Sequence, residues 1–171
     1  MLPVDFTAFF SYHHRAYLRY AYVQLGGRAD AEWVVEEVFS HLALNWNAVL
    51  RQPSVEGYAL AALKDQIAKL LVVRGRDKPA LVETALFAAV REATRARMEV
   101  LESGLGLYTA ITRLPDRQHD VVVLRFVLGY PVPRVARIMG VTPATVRSHV
   151  RGARRRLARE VGVDWAGEEE E

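Results

Sequence analysis

Apolar residues return at helical spacing along almost the whole chain, and no stretch alternates apolar with polar residues between turn signals. A face that repeats about every 3.6 residues is buried as a helix and not as a strand, so the periodicity excludes a sheet and predicts an all-α protein. Glycines and prolines punctuate it. A first helix, Val4 to Leu25, carries Phe6, Phe9, Phe10, Tyr17, Tyr20 and Ala21 and stops at Gly26-Gly27. A second is expected from about Asp30, as N-cap, to Leu50, with Val34, Val35, Val38, Phe39 and Leu42 on its apolar side. Pro53-Ser54 breaks the chain, and a third helix with Ser54 and Gly57 near its start runs to about Val73. Three such helices make one small bundle, residues 1–75.

Residues 76–104 read as a linker that is partly helical. RGRDKPA opens it, but residues 80–102 are rich in helix formers, with Leu81, Ala85, Leu86, Ala89 and Val90 on one side. A helix there is expected to pack on one of the domains. Residues 105–162 form a second small domain of four short helices: Leu105 to Leu114, Pro115 to Leu128, Pro131 to Met139, and one beginning after the Gly140 turn. Thr142 is the expected cap of the last, with Pro143 in its first position. Residues 163–171 are an acidic tail.

Half of the 171 residues are apolar, enough to bury a core, and there is no cysteine. Disulfides, Cys-bound zinc and thiol catalysis are excluded. No apolar run approaches the roughly 18 residues of a membrane span, and the N-terminal residues lack a basic signal-peptide region, so a cytoplasmic protein without membrane insertion is expected. His13, His14, His41, His119 and His149 have no acids at ligand spacing, and no phosphate loop, nucleophile elbow or catalytic carboxylate pair is present. Neither a metal, a cofactor nor an enzymatic activity is expected.

The net charge of +3 conceals segregation. Residues 1–75 and 76–112 are each neutral, residues 113–162 carry eleven arginines for a net +8, and residues 163–171 carry −5. One block of excess positive charge is the footprint of a nucleic-acid surface. Advancing about 100° per residue from Val146 puts Val150, Ala153 and Leu157 on one narrow stripe. Ala144, Ser148, Arg151, Arg155 and Arg159 fall opposite; Arg147 and Arg154 flank one edge, and Thr145, His149 and Arg156 the other. Small residues near the helix start suit entry into a major groove about 12 Å wide, where arginine can grip guanine and further arginines hold phosphates. A helix, a glycine turn and a second basic helix make a helix-turn-helix. The expected DNA-contacting residues are Arg134, Arg137, Thr142, Thr145, Arg147, Ser148, Arg151, Arg154, Arg155 and Arg159.

The string LPDRQHDVVVLRFVLGYPVPRVARIMGVTPATVRSHVRGARRRL, Leu114 to Leu157, resembles region 4 of bacterial sigma-70-family factors, above all the extracytoplasmic-function group. Its TVRSHV core is also similar to the DNA-binding domain of LuxR-type regulators. LRYAYVQLGGRADAEWVVEEVF, Leu18 to Phe39, resembles the family's region 2.1–2.2, with Asp30, Ala31, Glu32, Val35, Glu37, Val38 and Phe39 at matching positions. The resemblance implies a sigma factor whose sigma2-like domain binds core RNA polymerase and the −10 element and whose sigma4-like domain reads the −35 element of double-stranded promoter DNA. It also implies polymerase-binding residues Asp30, Glu32, Trp33, Glu36, Glu37 and Phe39, with an anti-sigma factor as a further possible partner. The chain departs from the family at Trp33 and Glu36, where Asp and Gln are frequent. It departs again in the third helix, where Ala61, Val72 and Val73 replace basic residues, and at Gly152, where some relatives carry a DNA-contacting arginine. The alternatives are a DNA-binding regulator built from sigma-like parts and a polymerase adaptor that melts no promoter.

Overall fold

The computed structural model describes residues 1–76, 79 and 104–161, and among them every regular element is helical. Contacts divide the chain into two units: Met1–Leu81 with Ala136–Thr142, and Val82–Val135 with Pro143–Glu171. The helix expected over residues 80–102 lies outside the described residues.

The first unit is built on α1 (Val4–Leu25), α2 (Arg28–Leu44) and α4 (Val55–Val73), each touching the other two, with the single turn α3 (Trp46–Val49) closing one end. The expected apolar faces are buried: Phe6, Tyr17 and Tyr20 from α1, Val34, Val38 and Leu42 from α2, Leu60, Leu63 and Ile67 from α4. Aromatic rings fill the space between α1, α2 and α3. Phe6 meets Trp46 edge-on at 5.1 Å, Phe10 meets Phe39 at 4.9 Å, and Tyr17 lies 5.5 Å from Phe39. Such edge and tilted pairs add about 0.5–1.5 kcal/mol each beyond their burial. Burial pushes the Tyr17 phenol far above its ordinary range, with Glu56 acting in the same direction.

Local chemistry sets the helix ends. α1 stops where Gly26 takes φ 76° and donates its N–H to the Tyr22 carbonyl at 2.8 Å. α4 starts behind Ser54, whose hydroxyl accepts the Gly57 N–H at 3.0 Å. α2 differs from expectation at both ends. Its cap is Gly27 in an extended conformation, because the Asp30 carboxylate is engaged elsewhere, accepting from Arg74 at the C-terminal cap of α4 at 2.7 Å. It ends at Leu44 and not Leu50: the Asn45 amide donates to the His41 carbonyl at 2.9 Å and turns the chain into α3.

Segment Ala136–Thr142 also belongs to this unit by contact, although chain order places it with the C-terminal helices. The Arg137 guanidinium lies 4.0 Å from the centre of the Tyr12 ring, and the Ser54 hydroxyl lies 3.5 Å from the Gly140 carbonyl.

The second unit contains α5 (Gly104–Thr112), α6 (Asp116–Val121), a π-helical segment (Val122–Val127) and α8 (Pro143–Val161); α7 (Val132–Met139) runs from this unit into the first. α8 packs on α5 and α6. Ile111, Val121, Val122, Val123 and Leu124 are buried with the α8 stripe. The single helix expected from Pro115 to Leu128 thus changes pitch at Val122. The Leu128 N–H reaches back five residues to Val123 at 2.9 Å, and the Tyr130 N–H six residues to Leu124 at 3.0 Å. Satisfying the last carbonyls this way ends the segment at Gly129.

Candidate nucleic-acid interface

α8 is amphipathic in the way its sequence predicts. Val146, Val150, Ala153 and Leu157 are all at most 2% exposed. Arg147, Ser148, Arg151, Arg155, Arg156 and Arg159 are exposed, as are Thr142 and Ala144 at the helix start, while Thr145 and His149 are half-buried. The turn before α8 depends on Gly140, at φ 69°, with the Val141 N–H donating to the Ala136 carbonyl at 3.0 Å. The helix therefore keeps a continuous cationic side about 18 Å long from Arg147 to Arg159, by the rise of an α-helix. It can neutralise phosphates and aim arginine forks at base edges.

The remaining expected DNA contacts are placed differently. Arg134 is half-buried, its guanidinium 4.6 Å from the Tyr130 ring centre. Arg154 is half-buried and 5.8 Å from Phe126, which Arg125 also approaches at 6.0 Å. Arg137 is exposed but stacked on Tyr12. Three of the ten residues are thus held against aromatic rings: Tyr130 lies four residues before Arg134, while Tyr12 and Phe126 come from distant parts of the chain, which helical wheels cannot foresee. Gly152 has a packing reason of its own. A Cβ there would fall 2.6 Å from the Gln118 amide nitrogen on α6.

The residues expected to meet polymerase lie mostly on the outer side of α2. Glu36 and Glu37 are exposed, Trp33 is 51% exposed, and Glu32 is exposed and paired with Arg28 at 2.8 Å. Asp30 is half-buried in its pair with Arg74. Phe39 lies on the inner side of the helix. It is 4% exposed and sits among Phe9, Phe10, His14 and Tyr17, because its position on α2 faces the aromatic seam. It floors a groove of about 560 Å³ between α1 and α2, with Phe10 and His14 opposite and Glu32 and Glu36 beside it.

Among the described residues no cluster of His, Asp or Glu could hold a metal ion, and no helix is long and apolar enough to cross a membrane.

Residues 105–157 match the family profile described as Sigma-70, region 4. This segment is thus similar to region 4 of the sigma-70 family. The match takes in α7, the Gly140 turn and the cationic side of α8 as far as Leu157. The chain is also similar to the ECF RNA polymerase sigma factor SigM of Mycobacterium tuberculosis, in strains H37Rv and Erdman: 38% identical over 66 residues, which is 39% of this chain and 34% of each relative. The matched stretch thus spans about a third of the length of these curated relatives. Among solved structures, the sigma factor RpoE in complex with the anti-sigma factor NepR from Bartonella quintana aligns with 94% of this chain and 98% of its own, at 17% identity and a TM-score of 0.47.

Proposed function

We propose that the chain is a sigma factor of the extracytoplasmic-function type, a non-enzymatic regulator that directs RNA polymerase to promoters. In this role α8 reads the −35 element in the major groove, and the outer side of α2 docks core polymerase through Glu32, Trp33, Glu36 and Glu37. The observation that carries the proposal is the one-sided burial of α8 inside a sigma-70 region 4. Four apolar side chains are consumed by packing, and the exposed arginines stay available for DNA. An exposed tryptophan among carboxylates on α2 supports the second half, since partly exposed aromatics flanked by charge suit a protein partner. The test is to mix the full chain with core polymerase and select genomic fragments. Recovery of fragments sharing a common −35-like sequence, absent with core alone, is expected. Recovery of the same fragments by the chain without polymerase would favour a free-standing DNA-binding regulator.

A further inference from the structure

We infer that Phe126 is a positioning residue of the cationic surface: its ring, presented by the π-helical segment, fixes the Arg154 guanidinium in advance of contact with a DNA phosphate. The inference rests on reading α8 as a DNA-binding helix and adds a residue that neither α8 nor its turn contains.

Phe126 lies within Val122–Val127, the one described stretch that leaves α-helical pitch. π-Helical turns are rare and concentrate at functional sites, because the extra residue turns the following side chains away from where an α-helix would carry them. Here the residues turned are Arg125 and Phe126. The Phe126 ring is half-buried and takes guanidinium groups from two elements, Arg125 of its own segment at 6.0 Å and Arg154 of α8 at 5.8 Å. Both distances fall within the reach over which a ring face attracts a cation.

Arg154 differs from its neighbours as a result. Arg151, Arg155 and Arg159 are exposed, whereas Arg154 is half-buried with its Nε out of contact with solvent. A free arginine surrenders rotamer freedom when it grips a phosphate, and one whose plane is already set surrenders less. An aliphatic side chain of similar volume would fill the space without offering a cation a face.

The experiment uses the full chain and a short random-sequence DNA duplex, so that backbone contacts alone are read, with affinity measured across a salt series and folding followed by thermal melting. Phe126→Leu is expected to weaken binding about three-fold, the scale of one exposed cation–π contact, and to flatten the salt slope by up to about one unit. Phe126→Tyr should retain both. In an Arg154→Ala background Phe126→Leu should have no further effect. Should Phe126→Leu melt below the assay temperature, Arg154→Lys carries the test: it keeps the charge without the plane and is expected to weaken binding. Unchanged affinity and slope in Phe126→Leu, or in Arg154→Lys, with the unaltered chain binding normally, would overturn the role of Phe126 alone. Absence of duplex binding by the unaltered chain would overturn the DNA-binding reading with it.

Discussion

Gly140 is constrained twice over. Its φ of 69° disfavours any side chain, and a Cβ would run into the Ser54 hydroxyl and lie 2.7 Å from the Gly57 nitrogen. Gly140→Ala should cost about 1–3 kcal/mol, seen as a lower denaturant midpoint with an unchanged slope. Ser54→Ala removes the α4 cap and should cost about 1 kcal/mol. Tyr17 adds a pH dependence. Its phenol titrates higher in the folded state than the ordinary value of about 10, so the unfolded chain loses this proton first and stability falls as pH rises past that value. Tyr17→Phe should remove that part of the alkaline decline in a pH series of melts. At this scale the glycine turn and the Ser54 cap could be read from sequence, because the residue types carry their own conformational preference. The rings under Arg137 and Arg154 could not, since each pairing joins residues far apart in the chain whose approach is set by packing.

α8 was the most legible element, because one narrow stripe of Val146, Val150, Ala153 and Leu157 leaves a single way to bury it. Its exposed side should divide by role. Arg147→Ala and Arg151→Ala, near the helix start, should each cost about 1–3 kcal/mol on a −35 duplex and little on scrambled DNA. Arg155→Ala and Arg159→Ala should weaken both duplexes alike and flatten the salt slope by about one unit each. Quantitative binding to the two duplexes separates the classes. α2 was less legible. Its apolar face could be read, but the pairing of Asp30 with Arg74 and the turn of Phe39 into the seam with α1 depend on packing across the bundle. Trp33 is exposed on the outer side of α2. Trp33→Ala should weaken association with core polymerase by about 2 kcal/mol while leaving the melting midpoint nearly unchanged. The pitch change at Val122 has no sequence signature, since VVLRFV suits an α-helix equally well.

Across the whole molecule the positive excess is confined to residues 113–162. Lys69 of α4 and Arg74 at its C-terminal cap are moreover occupied locally, by Asp65 and Asp30, each at 2.7 Å, while Val72 and Val73 are strongly exposed where phosphate contacts would need charge. The full chain should therefore bind a −35 duplex far more tightly than a single-stranded −10 oligonucleotide, by fluorescence anisotropy at matched salt. The most direct measurement is run-off transcription by core polymerase with the full chain, on a template recovered by the fragment selection. A sigma factor must yield a discrete transcript that core polymerase alone does not make, and the Arg147→Ala/Arg151→Ala variant must lose it while still co-purifying with polymerase. A chain that binds the template tightly yet yields no transcript above the core background would contradict the proposed function.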